Sequence, residues 1–314
     1  MKSLFKGLFL ALIASVFMAG CSLDQTSKGS DESSKNSGPT TDEKVKIGLS
    51  ISTLNNPFFV TLKEGAEKKA KEEGIDITTV DAQNDPAKQV SDVEDLIQKG
   101  IDVLLINPTD SAAITAAIES ANNAGIPVIT VDRSAEGGEV VAHIASDNTA
   151  GGKMAGEYLA EALGGSGKVI ELEGIPGSSA ARERGKGFNE AIATASGIEV
   201  VAKQPANFDR SQGLSVMENL LQSNKDIQAV FAHNDEMALG AVEALKAAGL
   251  ENVIVVGFDA TDDAVKAVEE GTMAATVAQK PDLIGQQAVD TAIQVKKGTK
   301  VEKFIPVELE LIKK

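Results

Sequence analysis

The sequence is poor in the residues on which disulfide, metal and redox chemistry depend. Its 314 residues include one cysteine and two histidines, so no disulfide can form within the chain and a zinc or redox site has little to be built from. Tryptophan is absent and tyrosine occurs once, which argues against an aromatic-rich platform for nucleic acid. We therefore expect no metal site and no cofactor.

Positive charge is also scarce. Lys and Arg total 30 against 46 Asp and Glu, a formal net charge of −16, whereas nucleic-acid affinity depends on a cationic surface that neutralises phosphates. DNA and RNA are therefore not expected partners. Hydrophobic residues make up 42% of the chain, enough for two ordinary cores at about 100–200 residues per domain.

The motifs of several enzyme classes are missing. No strand is followed by G-x-G-x-x-G, and neither a G-x-x-x-x-G-K-[ST] nucleotide loop nor a G-x-S-x-G nucleophile motif occurs. His143 and His233 are the only imidazoles that could serve as a base. Paired carboxylates such as Asp132 and Asp259 leave glycoside hydrolysis open, but we expect a binding protein rather than an enzyme.

The N-terminus has the features of an export signal. Lys2 and Lys6 precede an uncharged stretch over residues 7–20, which is too short for a bilayer span of about 20 residues. Small residues before Cys21 resemble a bacterial lipobox, so we predict a lipoprotein signal peptide over residues 1–20 and a lipid on Cys21. A plain secretory signal with an incidental cysteine is the alternative.

Residues 21–43 contain almost no apolar side chain after Cys21. Ser, Thr, Asp, Lys and Gly dominate this stretch, which cannot bury enough surface to fold. We predict a disordered tether that lets a folded body move away from a membrane surface.

The remainder alternates short apolar runs with helical stretches. Runs such as those at residues 45–51, 103–106 and 229–232 are separated by amphipathic segments such as 60–73 and 86–99. This alternation predicts an α/β fold with parallel sheets covered on both faces. The length suits two doubly wound sheets of about five strands, each with its binding crevice at the carboxyl ends of the strands.

An internal comparison indicates two similar halves. Asn107 and Asp132 each follow an apolar run, as do Asn234 and Asp259, and 25 residues separate the members of each pair. Each half is therefore expected to direct one Asn and one Asp into a strand-end crevice. The alternative is that these residues serve ordinary turns and helix caps.

Polar and aromatic side chains concentrate at the predicted strand-to-helix junctions. The polar set suits a polyol, because amides donate and accept while carboxylates accept and guanidinium groups donate; it comprises Asn56, Asn107, Asp132, Arg133, Arg184, Asn234, Asp259 and Gln279. Phenylalanines at the same junctions could cover the C–H faces of a sugar, or could pack in the cores; they are Phe58, Phe59, Phe208 and Phe258.

Six segments resemble bacterial ribose-binding proteins, which belong to the sugar group of the type I periplasmic binding proteins, the ligand receptors of ABC importers. The resemblance runs from about residue 46 to the end, and the segments that carry it are Ser52–Phe59, Ile106–Ser111, Val131–Arg133, Ser179–Gly185, Phe231–Ala238 and Val256–Asp259. Two positions depart from the pattern: His233 stands where glutamine is expected, and Ala260 where glycine is frequent.

The resemblance implies a type I periplasmic binding protein fold of two lobes joined by a three-strand hinge. One lobe would comprise residues 44–146 and 279–307, and the other residues 147–278 and 308–314. It also implies that the twelve polar and aromatic junction residues form the sugar site. His233 adjoins a presumed contact, and we expect it at the surface or supporting the site rather than contacting the ligand.

The resemblance further implies an extracytoplasmic monomer, anchored by its lipid, that closes over D-ribose and delivers it to an ABC permease and its ATPase. Allose, galactose or a furanose-like signalling molecule remain alternative ligands. A chemoreceptor that reads the closed form is a further candidate partner, and the protein would face the periplasm in a cell with an outer membrane.

Overall fold

The computed structural model describes residues 44–314. The predictions of a signal peptide, a lipid on Cys21 and a tether concern residues 1–43, which lie outside the described part, and they stay predictions. Within residues 44–314, every helix is too short or too polar to cross a bilayer.

Strands and helices alternate along most of the described chain. The first eight elements are β1 (Lys46–Ile51), α1 (Pro57–Glu73), β2 (Asp76–Asp81), α2 (Pro86–Gln98), β3 (Val103–Ile106), α3 (Thr115–Asn123), β4 (Val128–Val131) and β5 (Ala142–Ser146). The next eight are α4 (Asn148–Ala162), β6 (Ser166–Glu173), α5 (Ser179–Ile192), β7 (Gly197–Pro205), α6 (Arg210–Leu221), β8 (Ala229–Ala232), α7 (Asp235–Ala247) and β9 (Ile254–Asp259). The last five are α8 (Asp262–Glu270), β10 (Ala275–Ala278), α9 (Pro281–Lys296), β11 (Phe304–Val307) and β12 (Glu310–Lys313).

The strands form two sheets of six. The first has the order β11-β5-β4-β3-β1-β2 and is parallel throughout. The second has the order β12-β10-β9-β8-β6-β7, in which only the β10–β12 pair is antiparallel. We call the first sheet with α1, α2, α3 and α9 the N-terminal lobe, and the second with α4 to α8 the C-terminal lobe. The predicted two-lobed α/β fold is confirmed.

The chain passes between the two sheets at three places. These crossings follow β5, β10 and β11, whose last residues are Ser146, Ala278 and Val307. The crossings are consistent with the predicted lobe boundaries, which we keep as a prediction. The sheets hold six strands rather than about five, because β5, β11 and β12 lack a continuous apolar run. The last two lie at sheet edges, where polar and exposed side chains interrupt the pattern.

Local sequence signals explain where the helices begin. Proline occupies the first position of α1 and α2, where its missing N–H costs nothing. Asx side chains cap the first turn of five helices by accepting a hydrogen bond from a backbone N–H; the caps are Asn56, Asp85, Asp147, Asp209 and Asn234. Two of these caps, Asn56 and Asn234, belong to the predicted sugar site.

Glycines allow α4 and α5 to pack with their backbones almost in contact. A Cβ at Gly152 would lie 2.0 Å from the carbonyl oxygen of Arg184, and a Cβ at Gly187 would lie 1.9 Å from that of Thr149. A side chain at either position would push α5 away from α4. The close approach therefore sets the position of α5, the helix that carries Arg184.

Candidate functional site

The predicted site residues lie where strands end and helices begin. In the N-terminal lobe, Asn56, Phe58 and Phe59 begin α1, Asn107 follows β3, and Asp132 and Arg133 follow β4. In the C-terminal lobe, Arg184 lies in α5, Phe208 precedes α6, Asn234 precedes α7, and Phe258 and Asp259 end β9. Gln279 follows β10 at one of the crossings.

The backbone at three of these residues has left-handed dihedral angles. The φ values are +61° for Asp132, +61° for Phe208 and +123° for Asp259. Such angles cost a residue other than glycine about 1–3 kcal/mol and occur at sites where the surrounding structure imposes them. At Asp132 and Asp259 these angles occur where a strand ends, and at Phe208 they occur in the loop before α6.

The N-terminal lobe contributes an ion pair supported by an amide. Nε of Arg133 lies 3.7 Å from Oδ2 of Asp132, and Nη1 of Arg133 donates to the carbonyl oxygen of Pro108 at 3.3 Å. Asn107 lies behind this pair, fully buried. Its Nδ2 donates to Oδ2 of Asp132 at 3.3 Å and to the carbonyl oxygen of Val131 at 3.0 Å.

Phenylalanines surround the guanidinium of Arg133. Its Cζ lies 4.9 Å from the ring centroid of Phe59 and 5.1 Å from that of Phe208, so aromatic faces from both lobes contact one cation. Phe58 packs edge-to-face on Phe59, with ring centroids 5.2 Å apart. These apolar faces exclude water from the ion pair.

The C-terminal lobe holds a second guanidinium, that of Arg184, more firmly. Nε donates to Oδ1 of Asn148 at 2.8 Å, and Nη1 donates to the carbonyl oxygen of His233 at 2.7 Å. Nη1 also lies 3.6 Å from Oδ1 of Asp259. The guanidinium of Arg184 stacks on the ring of Phe258, with Cζ 3.8 Å from the ring centroid.

Two amides complete the C-terminal side. Nε2 of Gln279 donates to Oδ1 of Asp259 at 2.8 Å. Oδ1 of Asn234 accepts from the backbone N–H of Met237 at 3.0 Å, and its Nδ2 donates to the carbonyl oxygen of Phe208 at 3.4 Å. The amide of Asn234 thus connects the N-terminus of α7 to the Phe208 loop.

Burial changes the acidity of the charged residues. It raises the pKa of Asp132 above its ordinary value, although Arg133 and Arg184 act in the opposite direction. It lowers the pKa of Arg133 to about 10. Burial also raises the pKa of Asp259 well above its ordinary value, and nearby Arg184 opposes that rise. These charges are therefore costly to bury without further hydrogen-bonding partners.

Nine of the twelve predicted residues line one cavity between the lobes. The space between the atoms of these residues is about 230 Å³, part of which is open to solvent. Gln279 lines an adjoining cleft together with Asp259, whereas Asn107 and Phe258 lie outside both linings and support cavity residues from behind. Ala180 also lines the cavity, although its small apolar side chain gave no sequence signal.

Several polar atoms at this site are buried without a hydrogen-bond partner in the described part of the chain. They include Oδ1 of Asp132, Nε of Arg133 and Oε1 of Gln279. The three atoms comprise two acceptors and one donor, which is the complement that hydroxyl groups can satisfy. The arrangement suits a small neutral molecule rich in hydroxyls.

Direct hydrogen bonds also join the lobes beside the cavity. The backbone N–H of Ser111 donates to the carbonyl oxygen of Gly177 at 3.0 Å, and that of Ser134 donates to Oγ of Ser179 at 2.9 Å. Nη2 of Arg182 donates to Oε1 of Glu136 at 2.8 Å. Sequence reasoning did not find these contacts, because small and exposed polar residues carry no signal of a partner far along the chain.

The two positions that depart from the family pattern both have a structural explanation. His233 is fully buried, and its Nε2 lies 2.9 Å from Oε1 of Glu171, so it is not a surface residue. Ala260 has a φ of +57°, in the left-handed region that favours glycine. Among residues 44–314, no group of three or more His, Cys, Asp or Glu side chains could hold a metal ion.

Comparison with known proteins identifies the family. The model of the periplasmic binding protein domain matches residues 47–300. The chain belongs to the periplasmic binding protein family. Its members bind substrates for transport, and this chain is a binding protein rather than an enzyme.

Named relatives and solved structures agree with this membership. The ribose import binding protein RbsB of Bacillus subtilis (strain 168) is 53% identical over 309 residues, 98% of each chain. RbsB of Haemophilus influenzae is 59% identical over 266 residues, 85% of this chain and 90% of the relative. A periplasmic solute-binding protein from Actinobacillus succinogenes with bound D-allose has a TM-score of 0.81 at 34% identity, covering 86% of this chain and 98% of that one.

Proposed function

We propose that this periplasmic binding protein is the receptor of an ABC sugar importer and binds D-ribose between its two lobes. The observation that carries the proposal is the cavity between the sheets, lined by aromatic faces and by Asp132 and Arg133, each of which has a buried polar atom without a hydrogen-bond partner among residues 44–314. The two ribose import binding proteins, at 53% and 59% identity, support ribose as the ligand.

We further propose that the twelve predicted residues form the ribose site: nine line the cavity, Gln279 reaches it from the adjoining cleft, and Asn107 and Phe258 support it from behind. Sugar hydroxyls would donate to Asp132 and Asp259 and accept from the guanidinium groups of Arg133 and Arg184, while the phenylalanines cover the C–H faces of the ring. Each charged hydrogen bond contributes about 1.5–3 kcal/mol, so the set supports binding at about micromolar or tighter after ordering costs.

Closure of the lobes would follow from ligand contacts on both sides. Arg133 belongs to the N-terminal lobe and Arg184 to the C-terminal lobe, so a sugar that contacts both favours the closed form over the open one. The bonds from Ser111 to Gly177 and from Arg182 to Glu136 exist only when the lobes meet, and they add to the stability of the closed form. The permease and its ATPase then receive the sugar from the closed protein.

Attachment to the cell membrane is part of the proposal. The match to the B. subtilis relative covers 98% of this chain and so includes part of residues 1–43. We propose that Cys21 carries a lipid and holds the protein on the outer face of the membrane, with residues 22–43 as the tether. A Cys21→Ser variant should be found in the medium or periplasm, whereas retention in the membrane fraction would contradict the anchor.

D-Allose is the second candidate ligand. The A. succinogenes structure contains this hexose and shares the fold at a TM-score of 0.81. Its 34% identity is lower than the 53% and 59% identity of the two ribose import binding proteins. We therefore rank allose below ribose.

A thermal-shift screen tests the ligand assignment. A sugar that binds only the folded protein raises its apparent melting temperature, by an amount that grows with ligand concentration over Kd. We expect D-ribose to give the largest shift in a panel with D-allose, D-galactose, D-xylose and 2-deoxy-D-ribose, and to be recovered chemically unchanged. A larger shift with another sugar would replace ribose, and conversion of any sugar to a product would refute a receptor.

A further inference from the structure

His233 lies directly behind the proposed ribose site and is connected to it through its backbone. Its carbonyl oxygen accepts a 2.7 Å hydrogen bond from Nη1 of Arg184, whereas its ring is fully buried and is not part of the cavity lining. The backbone N–H of His233 donates to the carbonyl oxygen of Leu172 at 3.0 Å.

The ring is held by one hydrogen bond on each nitrogen. Nε2 lies 2.9 Å from Oε1 of Glu171, and Nδ1 accepts from the backbone N–H of Gly174 at 3.3 Å. A ring that accepts at Nδ1 carries its proton on Nε2 and is neutral. Burial lowers the pKa of His233, which agrees with this neutral form.

The carboxylate that accepts from the ring is itself fixed. Nδ2 of Asn189 donates to Oε2 of Glu171 at 3.1 Å, and Nζ of Lys203 lies 3.4 Å from the same oxygen. Burial acts to raise the pKa of Glu171, but the hydrogen bond from His233 and the charge of Lys203 bring it below its ordinary value. Glu171 is therefore a charged acceptor at neutral pH.

The helix that carries Arg184 rests against this pair. Gly185 is the next residue of α5, and a Cβ at that position would lie 3.1 Å from Cε1 of His233 and 3.2 Å from Oε1 of Glu171. Arg184 thus meets His233 through both its side chain and its own helix. An apolar ring of the same size would fill the space without fixing the orientation of residue 233.

We propose that His233 is a positioning residue for ligand binding: its ring, held between Glu171 and Gly174, fixes the carbonyl oxygen that orients the guanidinium of Arg184. This inference rests on the proposed sugar site and assigns a role to a residue outside the cavity lining. The proposal also explains why glutamine is expected at this position in ribose-binding proteins. Its side-chain amide can donate and accept a hydrogen bond as the imidazole does.

The test compares two substitutions in the full chain, His233→Gln and His233→Leu. Glutamine can donate to Glu171 and accept from Gly174, whereas leucine can do neither. We expect His233→Leu to raise the Kd for D-ribose by about tenfold and His233→Gln to keep it within about threefold of the wild type, in calorimetric titrations. Melting temperatures measured without sugar report any general loss of stability.

His233→Leu removes one hydrogen bond from the buried carboxylate of Glu171 and leaves the N–H of Gly174 without its acceptor, which could prevent folding. The paired variant Glu171→Met with His233→Leu removes both polar partners, and circular dichroism would verify its fold. We expect the same loss of about tenfold in this variant. In an Arg184→Met background, titrated at millimolar ribose, adding His233→Leu should raise Kd by less than about threefold, because the guanidinium that His233 positions is already absent.

Two results would overturn the proposal: an unchanged Kd in the folded leucine variants, or a full tenfold loss that persists in the Arg184→Met background. Failure of the ribose assignment is separately visible. If the wild type binds a different sugar of the panel, the same variants are titrated with that sugar. The same ratios of variant Kd to wild-type Kd then support or contradict the positioning role.

Discussion

The two lobes present equally spaced pairs, Asn107 with Asp132 and Asn234 with Asp259, but only the aspartates have matching environments. Both aspartates have a positive φ and a pKa raised by burial. Each also has a guanidinium nitrogen nearby, at 3.7 Å for Asp132 and 3.6 Å for Asp259. A common position at a strand end therefore gives the two carboxylates a common environment.

The asparagines differ because the chain continues differently after each of them. Asn234 is followed at once by α7 and caps it, so its side chain stays at the cavity. After Asn107 the next helix begins only at Thr115, and the amide turns inward to bond with Ser52, Val131 and Asp132. Equal spacing thus predicts equal position along the sheet edge, but not which side chain faces the ligand.

The guanidinium groups differ in how firmly the protein holds them. Arg184 donates two hydrogen bonds of 2.7 and 2.8 Å to protein acceptors. Arg133 donates one of 3.3 Å, and its buried Nε, 3.7 Å from Asp132, has no hydrogen-bond partner in the described part of the chain. Arg133 therefore depends more strongly on the ligand for its hydrogen bonds.

The largest expected effect comes from Arg133→Met. The substitution removes several ligand hydrogen bonds and leaves Asp132 without its cation, so we expect the Kd for D-ribose to rise by about 100-fold. Lys186→Met on α5, where the side chain is 66% exposed, serves as the control and should leave Kd unchanged. Calorimetric titration measures both. A Kd for Arg133→Met within about threefold of the wild type would remove Arg133 from the site.

The next effect separates the two asparagines. Asn234→Ala should raise Kd by about tenfold, with a loss of about 1 kcal/mol in the free energy of unfolding from the missing helix cap. Asn107→Ala should show the reverse balance, a stability loss of about 1–3 kcal/mol from the buried groups it leaves unpaired and a change in Kd of only a few fold. Urea unfolding gives the free energy of unfolding, and calorimetry gives Kd. Equal losses of affinity in the two variants would contradict the different roles of the two asparagines.

A smaller effect is expected from pH. The raised pKa values of Asp132 and Asp259 mean that the sugar-free folded protein holds protons on these groups more tightly than the unfolded chain does. Their burial therefore destabilises the sugar-free protein above the folded pKa values, and acidification through those values relieves this cost. Sugar hydroxyls that donate to the carboxylates favour the charged forms, so ribose affinity should fall as pH falls.

Substitution identifies which carboxylate is responsible. Burial raises the pKa of Asp259 well above its ordinary value, and the charge of buried Asp235 beside it acts in the same direction. We expect Asp259→Asn to flatten the dependence of log Kd on pH above the ordinary pKa of a carboxyl group, with a smaller flattening for Asp132→Asn. Titrations at a series of pH values measure both slopes. An unchanged slope in Asp259→Asn would show that its proton is not linked to binding.

The smallest effect concerns the residue that follows each aspartate. Ala260 follows Asp259 and has a φ of +57°, whereas Arg133, which follows Asp132, has no positive φ. The left-handed conformation costs alanine about 1–2 kcal/mol, and glycine would remove this strain. Glycine also makes the unfolded chain more flexible, which offsets part of the increase in the free energy of unfolding. Ala260→Gly should raise the free energy of unfolding by about 0.5 kcal/mol without changing Kd. A loss of stability in urea unfolding would contradict strain at this position.

Much of this arrangement could be predicted from the sequence, because parallel strands bring their carboxyl ends to one edge. The alternation of apolar runs located the sheets and placed Asp132, Arg133, Asn234 and Asp259 at their ends. Edge strands such as β11 were missed, since Pro306 and the exposed Phe304 break the apolar pattern. The bond between Glu171 and His233 could not be predicted, because it depends on the register between neighbouring strands rather than on local sequence.

Small-angle X-ray scattering with and without saturating D-ribose tests the central claim most directly. If the lobes close over the sugar, the radius of gyration of the purified protein decreases on addition of ribose, and no decrease occurs with a sugar that gave no thermal shift. An identical radius of gyration with and without ribose, at a concentration that calorimetry shows to be saturating, would contradict binding by closure.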